Sequence, residues 1–254
     1  MIKYVLFDLD ETLYPPATGL MKAITARINA YLVTHLGLTP AMADTVRRDY
    51  SRRYGSVFRG VALHGGFDLR DLSTFAHEVN IGQYISPDED LGCLIECIQS
   101  TRVLFTNAPH AYAERVLTRL GISQQFARLF AYEFGEGLGK PNAAVYTKVQ
   151  RALDVPGDAL VMVDDALSNL VPAHALGWKT IWVTSTGVPD PNETVDFVAH
   201  DLWQIADAFH QLGIMDSRHR VMVGHRLAGC VREPQKQSDE SIPSLPYAPS
   251  RARS

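Results

Sequence analysis

The chain has 254 residues, 46% of them hydrophobic, which is enough for a sizeable core and for one large domain or a core plus a smaller unit. Its 24 Lys and Arg nearly balance 28 Asp and Glu, and the net charge of −4 leaves no overall basic footprint for a nucleic-acid polymer. No stretch approaches the ~20 apolar residues a membrane-crossing helix needs, and Asp8 and Asp10 cut short the apolar opening MIKYVLF, which argues against a signal peptide. Cys93, Cys97 and Cys230 are too few and too odd in number for a disulfide framework. Cys93 and Cys97 lie one helical turn apart, with no His or further Cys pair nearby to complete a zinc site. They read as small core residues of a protein in a reducing cytoplasm.

In chain order, residues 2–7 (IKYVLF) read as a buried strand that ends abruptly in Asp8. Tyr14-Pro15-Pro16 breaks the pattern. Leu20, Ile24, Ile28 and Leu32 then recur at helical spacing, and Gly37 can stop that helix. Thr39-Pro40 reads as an N-cap with proline at the first helical position, ahead of a helix carrying Arg47, Arg48, Arg52 and Arg53. Gly65-Gly66 marks a turn, and helices follow over about 69–77 and 88–99. Strand character returns at 102–106 (RVLFT). Strands near 129–134, 159–163 and 179–183 then alternate with helices near 112–120, 143–153 and 167–176, and a last strand–helix pair covers 196–212. That alternation predicts an α/β fold: a Rossmann-like parallel sheet core with an inserted helical cap. The expected core is 1–13 plus 100–215, the cap 14–99. Beyond Asp216 the composition shifts, and the Ser-, Pro- and Arg-rich stretch 235–254 is expected to be disordered.

Four segments at strand C-termini carry polar groups, and in an open parallel sheet those ends converge on one crevice. Asp8 and Asp10 alternate on an extended segment, so both can face that crevice. Two carboxylates so close repel unless a cation sits beside them or one takes a proton, and either case suits metal or acid–base chemistry. Thr106-Asn107 offers a hydroxyl and backbone N–H groups ahead of a helix, a phosphate cradle or simply a helix cap. Lys140, after a glycine-rich loop and before Pro141, can supply a point charge to phosphate, or can be an ordinary surface lysine. Asp164-Asp165 follows an apolar strand without adjacent cations and suits a hard ion such as magnesium; the alternative is an acidic helix start. Together these groups suit metal-assisted phosphoryl transfer.

The four segments, in this order, resemble the motifs of the haloacid dehalogenase superfamily over roughly residues 1–215. Within it, FDLDETLYPP, the Arg53-Tyr54-Gly55 region and VDDALSNL are similar to the pyrimidine 5′-nucleotidase group. The resemblance implies that Asp8 is the nucleophile and Asp10 the acid and base, while Thr106, Asn107 and Lys140 hold the phosphoryl group. It further implies that Mg2+ is held by Asp8, the Asp10 carbonyl and the Asp164-Asp165 pair, with Asp165 the first choice as direct ligand and Asp164 the alternative. Asn169 stands where many relatives carry an acid, which points to an outer role. The expected substrate is a small phosphate monoester, a pyrimidine nucleoside monophosphate above all, read by Arg59 and His64 in the cap. A sugar-phosphate phosphatase or phosphomutase shares the same motifs. A dehalogenase needs neither metal nor a second acid, and a non-catalytic phosphate-binding module has no use for the full reactive set.

Overall fold

The computed structural model describes residues 1–54, 56–64, 69–187 and 195–215. The turn expected at Gly65-Gly66, the disordered tail and Cys230 fall outside those residues. Six parallel strands form one sheet in the order β3-β2-β1-β4-β5-β6. They are β1 (Tyr4–Phe7), β2 (Thr101–Phe105), β3 (Arg128–Phe130), β4 (Leu160–Asp164), β5 (Lys179–Val183) and β6 (Phe197–Ala199). Because β1 lies between β2 and β4, the strand order reverses beside it, and the crevice at the strand C-termini opens there.

Side chains alternate across the sheet, so its two faces take separate cores. Val5, Phe7, Leu104 and Val163 face α6 (His110–Leu120) and α9 (Leu202–Gln211). Leu6, Val103, Phe105 and Met162 face α7 (Ala143–Leu153) and α8 (Leu167–Ala175), where Trp178 and Tyr146 are fully buried. Every residue of β4 is buried, as a central parallel strand covered on both faces requires.

Between β1 and β2 lie α1 (Leu20–Leu36), α2 (Pro40–Tyr54), α3 (Val57–His64), α4 (Leu69–His77) and α5 (Glu89–Glu96). Gly37, at φ +64°, closes α1 in the left-handed region that glycine enters without strain. The Thr39 hydroxyl accepts from the Met42 N–H at 3.3 Å, so the cap read at Thr39-Pro40 forms. The short α3 is not signalled by periodicity. It fits because Gly60 lies flat against Tyr50 of α2, and a Cβ there would stand 2.3 Å from the Tyr50 ring. The first four helices pack on one another as the cap, whereas α5 packs on α9. The Gln99 N–H donates to the Ile214 carbonyl at 2.9 Å, and Ile98 bridges Met215. The apolar face of α5 thus meets the core layer. Cys93 and Cys97, on and just after α5, are half-buried rather than core residues, since the buried face of that helix is supplied by Leu91, Leu94 and Ile95.

Candidate active site

The polar groups at the strand ends are placed by the ladder itself. The Asp8 N–H donates to the Val163 carbonyl at 2.9 Å, extending the β1–β4 pairing one step. The Thr106 N–H does the same to Phe130 of β3 at 3.0 Å. After Asp8 the chain turns sharply, with Glu11 at φ +62° and the Leu13 N–H returning to the Leu9 carbonyl at 3.0 Å. This tight turn brings Thr12 back under the site. Its Oγ1 accepts from the Asp165 N–H at 3.0 Å and lies 3.5 Å from Asp8 Oδ2 and 3.4 Å from Asp165 Oδ1. Thr12 thus ties the turn after β1 to the turn after β4.

Among the described residues, Lys140 is the only cation in the site's inner groups, and it is 2% exposed. Its Nζ donates to Asp8 Oδ1 at 2.7 Å and to Asp164 Oδ2 at 2.6 Å. Burial alone would pull the lysine pKa down, but the Asp164 and Asp8 carboxylates outweigh it and hold the pKa above the ordinary value. Asn107 holds the lysine's backbone: its Nδ2 donates to the Lys140 carbonyl at 2.9 Å, and its Oδ1 accepts the Lys140 N–H at 2.7 Å. Gly139 permits this, since a Cβ there would stand 2.6 Å from Asn107 Oδ1. Asn107 therefore reaches the site but gives both polar atoms to Lys140. The Thr106 hydroxyl accepts from the Ala108 N–H at 3.0 Å, leaving its own hydrogen free to donate.

Asp164 is fully buried and saturated. Asn169 Nδ2 donates to both its oxygens, at 2.9 and 3.1 Å, and the Ala166 N–H to Oδ1 at 2.9 Å. Burial pushes this carboxyl up, and Lys140 and Asn169 pull it back. Asp165 is less well served, and burial together with the Asp8 and Asp164 charges pushes it up to about 8. Asp8, Asp164 and Asp165 each offer an oxygen within 4.8 Å of the others, against a single lysine. Such a hard, over-acidic oxygen set fits a divalent cation of the magnesium type.

Asp10 is set apart from this cluster. Tyr14 and Tyr112 both donate to its Oδ1, at 2.5 and 2.9 Å. Burial, and then the Asp8 charge, pushes the carboxyl up to about 7 against those two hydrogen bonds. Both phenols are held well above the ordinary tyrosine value by burial and by Asp10, so they stay protonated donors. Thr12, Tyr14 and Tyr112 had no assigned part in the sequence reading. Thr12 and Tyr14 lie inside the quoted first motif, but nothing in the sequence marks Tyr112.

Asp8, Asp10, Thr106, Asn107, Lys140 and Asp165 lie on one side of a cavity of about 320 Å³. The cap supplies the other side: Met21, Ile24, Thr25 and Ile28 from α1, Arg47 and Ser51 from α2, Ser56 to Phe58 at the start of α3, and His77 from α4. Arg59 and His64 are not part of that lining. His64 is exposed and bonds the Tyr54 hydroxyl at 2.6 Å, and Arg59 lies near Tyr132.

The sequence pattern of the family described as haloacid dehalogenase-like hydrolase matches residues 2–177. The chain belongs to the haloacid dehalogenase-like hydrolases. Among relatives of this hydrolase, glyceraldehyde 3-phosphate phosphatase from Pyrococcus abyssi (strain GE5 / Orsay) is 29% identical over 200 residues, covering 72% of this chain and 81% of the relative. By fold the chain is similar to a HAD phosphatase from Thermococcus onnurineus (TM-score 0.60, 19% identity, 84% of this chain and 99% of that one). It is also similar to the 2-haloacid dehalogenase from Pseudomonas syringae pv. Tomato DC3000 (TM-score 0.56, 23% identity, 84% of this chain and 100% of that one). The family fold thus carries both phosphoryl and halide chemistry, and the side chains must decide between them.

Proposed function

We propose that this hydrolase is a magnesium-dependent phosphatase of small phosphate monoesters, working through an aspartyl-phosphate on Asp8. The observation that carries this reading is the placement of Asp10, a second carboxyl lining the cavity two residues from the nucleophile, with two phenols donating to one of its oxygens. Departure of an alkoxide needs a proton donor poised near neutral pH, and departure of a halide does not. A carboxylate oxygen of Asp8 attacks phosphorus as the bond to the leaving oxygen breaks, and that oxygen takes the Asp10 proton. Asp10, now a carboxylate, takes a proton from water as the water oxygen attacks phosphorus and the bond to Asp8 breaks. Thr106 and Lys140 donate to the phosphoryl oxygens throughout. Magnesium would be held by the Asp8 and Asp165 carboxylates and the Asp10 carbonyl, and it supplies positive charge to the transferring group. Asp164, already holding Lys140 and Asn169, acts from behind.

The substrate we propose is a sugar-sized phosphate, with the α/β core doing the chemistry and the helical cap selecting the ester. The name of the Pyrococcus relative supports that size, as does a cavity at the lower end of ordinary small-ligand pockets. The pyrimidine nucleotide suggested by the local sequence resemblance is the competing substrate class. A cytoplasmic setting, consistent with the sparse cysteines, belongs to the same proposal. A phosphate-release screen over sugar phosphates and nucleoside monophosphates, with magnesium and with chelator, tests it. We expect a sugar phosphate to have the highest kcat/KM and chelation to stop release. A nucleotide ahead of every sugar phosphate overturns the substrate class, and full activity in chelator overturns the metal.

A further inference from the structure

The Asp10 carboxylate is gripped on one side only. Tyr14, from the turn after β1, and Tyr112, from α6, come from segments 98 residues apart and meet at one oxygen, with their hydroxyls 3.4 Å from each other. Both donate to Oδ1, and among the described residues no hydrogen bond is made to Oδ2. Neither ring is free to move, since Tyr14 is 4% and Tyr112 2% exposed. His77 of the cap stands against the Tyr112 ring, centroids 4.7 Å apart. Asp10 itself lines the cavity.

An oxygen that accepts two phenolic hydrogens has its lone pairs occupied, so the carboxyl proton must sit on the other oxygen. We infer that Tyr14 and Tyr112 are positioning residues for proton transfer, reserving Asp10 Oδ2 for the leaving oxygen of the substrate. The inference rests on the reading of Asp10 as the acid. In the forward step phosphorus gains a bond to Asp8 and loses its bond to the leaving oxygen. The proton passes from Oδ2 to that oxygen, and the electron pair left on Asp10 is met by two preorganised O–H donors. The same clamp turns Oδ2 toward water when Asp10 takes a proton back.

The test is a leaving-group series, from dinitrophenyl phosphate, which needs no acid, to a simple alkyl phosphate, which does. The quantity read is kcat/KM, which counts only steps up to leaving-group departure. General acid catalysis is worth roughly a hundredfold or more, so Asp10→Asn should lose about that on the alkyl ester and less than about threefold on the activated one. The Tyr14→Phe/Tyr112→Phe variant, which keeps both rings, should lose at least about tenfold on the alkyl ester and again less than about threefold on the activated one. Each single Tyr→Phe variant should show the same pattern at smaller size, which keeps the test open if the double variant does not fold. Equal losses on both esters, or none, for the phenol variants beside a selective Asp10→Asn overturn the inference alone. A non-selective Asp10→Asn removes the acid role of Asp10 and this inference with it.

Discussion

On the core side of the cavity buried charges are linked at hydrogen-bond distance, as in the Asp8–Lys140–Asp164 chain at 2.7 and 2.6 Å. On the cap side Met21, Ile24, Ile28, Val57 and Phe58 share the wall with small polar side chains and His77, and Arg47 is its cation. Arg47 is itself held, by Asp44 at 2.7 Å and Asn29 at 3.1 Å, but nearer the surface. The difference is one of tolerance. A buried charge network loses several kcal/mol when one partner goes, whereas a wall of apolar and small polar side chains with a partly exposed cation can change its residues and still fold. A fixed chemistry can therefore sit beneath a variable selector.

The largest expected effect is at Asp8. Asp8→Asn should lower phosphate release by at least about three orders of magnitude with the fold retained, read by steady-state kinetics and circular dichroism. Normal turnover by a folded variant would move the chemistry out of the core wall. Next is Lys140→Met, which strands Asp8 and Asp164 as unpaired buried carboxylates. It should cost about 3–5 kcal/mol in chemical denaturation of the metal-free protein, against less than about 1 kcal/mol for Arg47→Ala. Equal costs would erase the contrast between the two walls.

A smaller effect is the pH dependence of metal-free stability. The Asp165 and Asp10 carboxyls lie at about 8 and about 7 in the folded chain, above their ordinary value of 3.8. Between about 4 and about 8 the folded state therefore holds protons that the unfolded state has lost, so stability falls as pH rises across that window. Magnesium should flatten the fall, and Asp165→Asn should remove part of it, both read as thermal midpoints. A midpoint that rises across the window without metal would contradict the burial and crowding of these carboxylates. The smallest effects are in the cap: Arg59→Ala and His64→Ala should change kcat/KM less than about threefold for any ester, since neither lines the cavity, while Arg47→Ala should alter the ranking of esters.

The same contrast explains what could be read from the sequence. Asp8 and Asp164 stand at the abrupt ends of apolar runs, a local signal, and parallel-sheet topology then brings those ends together. The strand–helix alternation after residue 100 was legible for the same reason: each element has its own periodicity and its own stop. The cap wall depends on how four helices pack, so which cap residues line the cavity has no local signature. Tyr112 shows the limit most clearly. On α6 it reads as one more apolar-face residue, and only the packed fold brings its hydroxyl to Asp10. Asn107 was legible as a strand-end polar group, but its brace on Lys140 spans 33 residues and depends on the bare Gly139.

The central claim is that Asp8 takes the phosphoryl group, and it can be tested by trapping that group. The Asp10→Asn variant lacks the base that activates water, and dinitrophenyl phosphate needs no acid to leave, so the covalent species should accumulate. Acid quench within one turnover, followed by mass spectrometry of the peptide bearing Asp8, should find one phosphoryl group on that residue. Release of dinitrophenolate with Asp8 unmodified, or with the phosphoryl group on another residue, would contradict the account.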